Sequence, residues 1–278
     1  MTSFFKVSGS GNDFLALAEP AEVPAPERIR AWCRRGISLG ADGLFVLRRQ
    51  TAPSENQDAG VTMEYFNSDG YPAALCLNGT RCAAQLAFHL GWADGELWIG
   101  TAAGRFAARR IDESRISLDI PAPEAPREVA PEVDGITRAG MHLRVGVPHF
   151  VEIWPESLET VPVRSLGAAL RHHPVFGEEG ANVNFVRFAA ENLMEIRTYE
   201  RGVEDETLSC GTGVLAGAAV GVVLGKAVLP LRVQTRGGFE LGVEARPGGR
   251  WRMTGDARVV AYGELLPGAE AREERESL

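Results

Sequence analysis

The sequence predicts an α+β protein of two domains built alike, and three observations carry that expectation. Two Ala-rich segments, CLNGTRCAAQLAFHLG and CGTGVLAGAAVGVVLG, each open on a cysteine, Cys76 and Cys210, and these cysteines lie 134 residues apart, close to half the chain. Short β-rich runs bounded by Gly, Asp or Ser flank each segment. The 278 residues are enough for two domains of ordinary size and for burying about three quarters of the unfolded surface.

Taken in order, the first half offers strands at GLFVLRR, VTMEYF, ELWIGTA, GRFAARRI and RISLDI. The second offers HLRVGV, HFVEIW, NVNFVRF, MEIRTYE, LRVQTR, FELGVEA and RWRMTG. Helices are expected over Pro26–Ser38, Gly79–Leu90, Ser165–Arg171 and Gly211–Leu224. Pro121–Pro126, the string PAPEAP, is the linker candidate, which divides the chain into residues 1–121 with Cys76 and 122–278 with Cys210. The extreme C-terminus is free to pack back on the first half. An α+β protein with two unrelated halves is the competing organisation.

A net charge of −8, with 29 basic and 37 acidic residues and no basic run, argues against a surface that tracks nucleic acid phosphates. Small-molecule chemistry is the expectation. The uncharged stretch from Leu208 to Gly225 is too rich in Gly and Ala for a membrane span and reads as a buried helix. The N-terminus has no apolar signal region, so a cytoplasmic protein is expected. Four cysteines without a C-x-x-C pair predict reduced thiols, and no metal ligand set is visible.

A thiol just outside a helix N-terminus meets free backbone N–H groups and the positive end of the helix dipole. Such placements lower thiol pKa values, to roughly 3.5–7.5 in known cases. Gly211 and Thr212 let the same N–H groups approach a carboxylate. Two such thiols on opposite faces of an α-carbon would form a two-base racemase, one removing the α-proton and the other delivering a proton. A lone buried Cys is a small hydrophobe, and that reading is applied to Cys33 and Cys82, the latter facing the core.

Other polar residues cluster in sequence near these elements. Asn12 and Asn67 stand in turn contexts, Asn182 opens NVNFVRF, and His149 follows Pro148 at a strand start. Glu200 and Arg201 end MEIRTY ahead of Cys210, with a surface ion pair as the competing reading. His172 and His173 are expected on a solvated loop. GSGNDF and GVVLGK fit neither the dinucleotide nor the P-loop pattern.

At GSGNDF, GADGLFVL, FNSDG, C-x-NGTRC, GVPHFV, ANVNFV and RTYERGVEDETLSCGTG the chain resembles the diaminopimelate epimerase family nearly end to end. The resemblance implies two pseudo-symmetric domains, each a β-barrel-like sheet wrapped around a central helix, with the site in the interdomain cleft. It implies Cys76 and Cys210 as the acid/base pair, no cofactor, and L,L-2,6-diaminopimelate epimerised to the meso form for lysine and peptidoglycan precursors, in a homodimer. His149 and Glu200 are support candidates. Asn12, Leu77 through its backbone, Asn78, Gly211 and Thr212 match positions that hold the reacting end of the substrate.

Asn67, Asn182, Glu200 and Arg201 match positions that hold the distal end; the Arg fork suits a carboxylate and the Glu an ammonium. Leu77 stands where the family usually has Gly, and Val147 where many relatives have Asn. Tyr71-Pro72, Gly43 and Ser8 are further departures. A two-cysteine racemase of another amino acid such as histidine, and a non-catalytic amino acid binding protein, are the rival readings.

Overall fold

The computed structural model describes residues 2–50 and 60–270. It opens with β1 (Thr2–Gly9), β2 (Asn12–Ala18), α1 (Pro26–Cys33), β3 (Gly43–Arg49), β4 (Gly60–Asn67), α2 (Leu77–His89), β5 (Glu96–Thr101) and β6 (Gly104–Arg110). Next come β7 (Arg115–Pro121), β8 (Arg127–Val129), and the short pair β9 (Glu132–Val133) and β10 (Ile136–Thr137). The second series is β11 (Gly140–Val145), β12 (Val147–Ile153), α3 (Val163–Arg171), β13 (Asn182–Ala190), β14 (Leu193–Glu200), β15 (Asp205–Thr207) and α4 (Gly211–Val223). It closes with β16 (Leu231–Thr235), β17 (Glu240–Arg246), β18 (Arg250–Asp256) and β19 (Arg258–Leu265). No helix among the described residues is long and apolar enough to cross a membrane.

The chain divides into two compact units, one running to Ile116 and resuming at Ala257, the other Ser117–Asp256. β19 pairs with β1, from Thr2 opposite Leu265 to Ser8 opposite Arg258, so the last strand belongs to the first unit. A single cut at residue 121 would have left it in the second. The PAPEAP stretch joins β7 to β8 inside the second unit.

Each unit repeats one topology. In the first, β1 and β2 are antiparallel, β2 and β3 parallel, β3 and β4 antiparallel, β4 and β5 parallel, β5 and β6 antiparallel. In the second, β11, β12, β13, β14, β16 and β17 alternate in the same way. Parallel neighbours need a long crossover. α1 and α3 serve the first crossover of each unit; α2 and α4 serve the second.

α2 packs against β1 to β6 and β19, and α4 against β11 to β14 and β17, so each is the central helix of its own sheet. All residues of α2 from Leu77 to Phe88 are buried, with alanines where strands come close. On α4, Gly217 and Gly221 stand where α2 has Ala83 and Ala87, and Gly213 where it has Gly79. A Cβ at Gly217 would lie 2.9 Å from Met194 Cε, and one at Gly221 2.5 Å from Phe188 Cε1. Glycine costs a helix about 1 kcal/mol per residue, and close approach of β13 and β14 is the return.

Both helices end alike. Leu90 and Leu224 are the C-caps, and Gly91 (φ 69°) and Gly225 (φ 65°) follow in the left-handed region. Trp92 N–H then reaches Ala87 O at 3.0 Å and Lys226 N–H reaches Gly221 O at 2.8 Å.

The outer helices close smaller cores. Ile29 and Trp32 of α1 meet Leu15, Leu17, Leu44 and Val46, while Val163 and Leu170 of α3 meet Phe150, Val183, Phe185 and Tyr199. Full burial of such a side chain contributes roughly 1.5–3 kcal/mol. α1 stops at Cys33 rather than Ser38, because Arg34 is already extended and Gly36 has φ 78°. α2 starts two residues before the expected Gly79 and α3 two before Ser165.

Candidate active site

Cys76 is the N-cap of α2, in extended backbone conformation, and its sulfur accepts the Gly79 N–H at 3.4 Å. Thr80 closes the same turn, its N–H and its hydroxyl reaching Cys76 O at 2.8 and 2.9 Å. The sulfur is thus held where the orphan N–H groups of a helix start converge. A cavity of about 410 Å³ adjoins Cys76, walled by Met63, Phe66, Pro72, Leu75 and Thr80 among others.

Leu77 is the first residue of α2, buried, and is not among the residues with positive φ. The backbone there does not require glycine, so the Leu carries none of the strain that a left-handed position would impose. Cys82 faces the core as expected.

Two further first-unit residues join the start of α2. Asn78, buried, donates from Nδ2 to Asn12 Oδ1 at 2.7 Å, and Asn12 Nδ2 donates to Asp42 Oδ2 at 3.0 Å. Asn12 begins β2, directly after a tight turn in which Ser10 has φ 50° and Gly11 φ 89°. That pattern of two positive φ values is the turn that antiparallel strands favour. Asn67 is exposed at the end of β4, opposite Gly43 of β3, and its main chain closes the FNSDG turn through Gly70 and Tyr71. Asn67 and Cys76 lie in the same unit.

In the second unit Cys210 is the N-cap of α4, buried, with Sγ 3.4 Å from Thr212 Oγ1. Gly211 and Thr212 open the helix. Asn182 is buried and its Oδ1 accepts the Arg201 backbone N–H at 2.8 Å, which ties the start of β13 to the end of β14. Glu200 is the last residue of β14. The Arg201 guanidinium is engaged by Glu179 at 2.9 Å, a partner the sequence did not indicate. Glu179 also accepts from Arg144 at 2.5 Å, and the Arg144 and Arg201 guanidiniums hold its carboxyl below the ordinary glutamate range.

His149 is fully buried in β12, and burial, helped by the positive fields of His142 and Arg201, pushes its pKa down to about 3. Asn184 Nδ2 lies 3.2 Å from its Nδ1. An amide nitrogen only donates, so Nδ1 accepts and the proton sits on Nε2, which has no hydrogen-bond partner among the described residues. Thr198 Oγ1 donates to Asn184 Oδ1 at 3.0 Å and fixes the amide. His172 and His173 lie at the end of α3, as a loop placement anticipates, and His173 caps the turn after it through Val175 N–H.

The register aligns the two units residue by residue. Phe14 faces Gly43 as His149 faces Asn182, and Asn67 and Glu200 end the next strands. Cys76 and Cys210 then open helices of 13 residues each. Asn12 corresponds to Val147, so one unit carries an amide where the other carries an isopropyl group. Asp42 and Arg81 lie inside the motifs GADGLFVL and C-x-NGTRC, but only the strand register and the helix starts set them against Ala181 and Leu215 of the second unit.

The sequence matches the family described as diaminopimelate epimerase over residues 4–120 and 141–260. The diaminopimelate epimerase of Aquifex aeolicus (strain VF5) is 37% identical over 253 residues, 87% of this chain and 89% of that one. That of Gemmatimonas aurantiaca (strain DSM 14586 / JCM 11422 / NBRC 100505 / T-27) is 36% identical over 286 residues, covering 95% and 99%. Among solved structures, a probable proline racemase from Agrobacterium radiobacter K84 superposes with TM-score 0.69 at 17% identity over 97% of this chain and 96% of that one. A hydroxyproline epimerase from Agrobacterium vitis does so with TM-score 0.65 at 17% identity, over 94% and 91%. The two solved structures show the fold; the family match and the curated relatives go further, and the chain belongs to the diaminopimelate epimerase family.

Proposed function

We propose that this protein epimerises L,L-2,6-diaminopimelate to the meso form, with Cys76 and Cys210 as the two acid/base groups. The observation that carries the reading is the equivalence of these cysteines: each is the N-cap of the 13-residue central helix of one of two units with the same topology. One sulfur, as thiolate, takes the α-proton. The electron pair left on the α-carbon spreads onto the substrate carboxylate, and the other sulfur, as thiol, delivers its proton to the opposite face. The first sulfur ends protonated and the second as thiolate, so the pair is set for the reverse direction.

General acid/base groups contribute about 10²–10⁴-fold each. Stabilising the charge on the carboxylate supplies much of the remainder, and helix-start N–H groups at Leu77, Asn78, Gly211 and Thr212, with the Asn12 amide, are the donors we assign to it. No pyridoxal phosphate is required in this scheme. Asn67, Asn182, Glu200 and Arg201 are assigned to the distal amino acid end, and His149 and Glu200 to support of the thiols. A substrate with one amino acid end would leave those distal groups unused.

A cytoplasmic location, where free thiols stay reduced, and a homodimeric state belong to the same reading, as does work in lysine and peptidoglycan precursor synthesis. Purified protein with L,L-diaminopimelate, histidine and proline in parallel tests it by chiral chromatography. Formation of meso-diaminopimelate with the single-centre amino acids untouched is expected. Racemisation of histidine or proline in its place, or binding without turnover, contradicts it.

A further inference from the structure

Arg171, the last residue of α3, keeps its side chain 9% exposed and bonds to two segments that run past it. Its Nη1 donates to Glu179 O at 3.1 Å in the loop before β13, and its Nε to Glu204 Oε1 at 3.2 Å in the turn between β14 and β15. The loop passes so close to the guanidinium that glycine is required: at Gly180 (φ 63°) a Cβ would lie 2.0 Å from Arg171 Nη1.

Both segments lead to Arg201. Glu204 shapes the turn that carries Glu200 and Arg201. Its carboxylate accepts the Gly202 N–H at 2.9 Å beside Arg171, its own N–H reaches Glu200 O at 2.8 Å, and its carbonyl accepts the Tyr199 hydroxyl at 2.8 Å. Gly202 has φ 86° and Glu204 φ 57°, so the turn places a glutamate in the left-handed region, which is uncommon for such a side chain. The loop before β13 carries Glu179, whose carboxylate pairs with the Arg201 guanidinium at 2.9 Å. Arg171 is therefore bonded both to the residue that shapes the Arg201 turn and to the residue that holds the Arg201 side chain.

The first unit shows that closing such a crossover does not call for an arginine. α1 ends on Cys33, whose carbonyl accepts the Ala41 N–H at 3.0 Å, as the Arg171 carbonyl accepts the Ala181 N–H at 3.1 Å. Cys33 is buried in an apolar core. Taking a guanidinium out of water is costlier than burying a neutral thiol. What the guanidinium adds is the pair of bonds to Glu179 and Glu204.

We infer, resting on the function proposed above, that Arg171 and Glu204 are positioning residues for the distal amino acid end of the substrate. Arg171 sets the two segments against each other, so that Glu200 and Arg201 are presented together to an ammonium and a carboxylate. Neither positioning residue touches the substrate; they act through Glu200, Arg201 and Glu179.

The test is steady-state turnover of L,L-diaminopimelate by Arg171→Met, Glu204→Gly and the double variant, with thermal melts alongside. Glycine takes a left-handed φ without strain, so Glu204→Gly is expected to fold. Each single substitution is expected to raise KM on the order of tenfold, with kcat within about threefold because the reacting end is held by other residues. The double variant is expected to have a KM within about twofold of the higher single value, since the two residues act through one ion pair. A merely structural role would lower the melting temperature and leave KM in place. A KM within about twofold of wild type for either folded single variant, a loss confined to kcat, losses that multiply in the double variant, or failure of both single variants to fold overturns the inference. In each of those cases turnover by the wild type leaves the functional reading standing. A wild-type protein without turnover overturns that reading and this inference with it.

Discussion

Asn182 Oδ1 accepts the backbone N–H of Arg201 at 2.8 Å, so the first residue of β13 fixes the residue that follows β14. Glu200 and Arg201 thereby leave the strand at one defined point. Asn182→Ala removes the acceptor and leaves a part-buried N–H to find another, at about 1–3 kcal/mol. We expect kcat/KM for diaminopimelate to fall roughly tenfold, mostly through KM, in steady-state kinetics. An unchanged KM would remove Asn182 from the recognition set.

Acid stability follows from His149. Its folded pKa of about 3 lies below the ordinary 6.5, so the unfolded chain binds more protons wherever the pH is between those values. Stability therefore carries no His149 penalty above about pH 6.5 and declines as the pH falls towards about 3. His149→Gln should flatten that part of the profile when thermal melts at pH 5 and pH 7.5 are compared. A slope identical to wild type would show that His149 is protonated as readily folded as unfolded.

Gly213 touches both the helix and the His149 support. A Cβ there would run into Asn184 Oδ1 and lie 3.3 Å from Thr198 Oγ1. Gly213→Ala gains helix propensity of about 1 kcal/mol but forces the Asn184 amide aside, an overpacking cost of typically 1–3 kcal/mol. A melting temperature lower by a few degrees is expected, with kcat reduced because Asn184 no longer orients His149. A stabilised, fully active variant would contradict the close approach.

Leu77→Gly tests the position beside Cys76. The side chain is buried and the backbone helical, so glycine removes packing worth about 2–5 kcal/mol and relieves no strain. Scanning calorimetry should show a lower melting temperature while kcat/KM stays within a few-fold, since the backbone N–H remains. A variant more stable than wild type would mean that Leu77 is strained after all.

The two central helices were legible because cysteine caps, glycine ends and uninterrupted small residues mark them at both boundaries. Their starts differed by up to two residues, since the Cys76 sulfur caps Gly79 from outside an α2 that begins at Leu77. β1, β2 and β19 were not among the expected strands. GSGNDF reads as a turn from its glycines, but the strands on either side of it reveal themselves through pairing, Thr2 with Leu265 at opposite ends of the chain. Long-range pairing leaves no local mark, and the same holds for the site. Asn78 stands beside Cys76 in sequence, whereas Asp42 reaches Asn12 across 30 positions. The correspondence of Val147 with Asn12 likewise needs the strand register.

The measurement that tests the two-thiol account most directly is α-hydrogen exchange in D₂O, followed by mass spectrometry and chiral analysis of diaminopimelate. The wild-type protein is expected to form meso-diaminopimelate carrying deuterium at the inverted α-carbon, while Cys76→Ala and Cys210→Ala, each folded by thermal melt, form none. Wild-type inversion without deuterium, or a single Cys→Ala variant that inverts the centre at the wild-type rate, would contradict it.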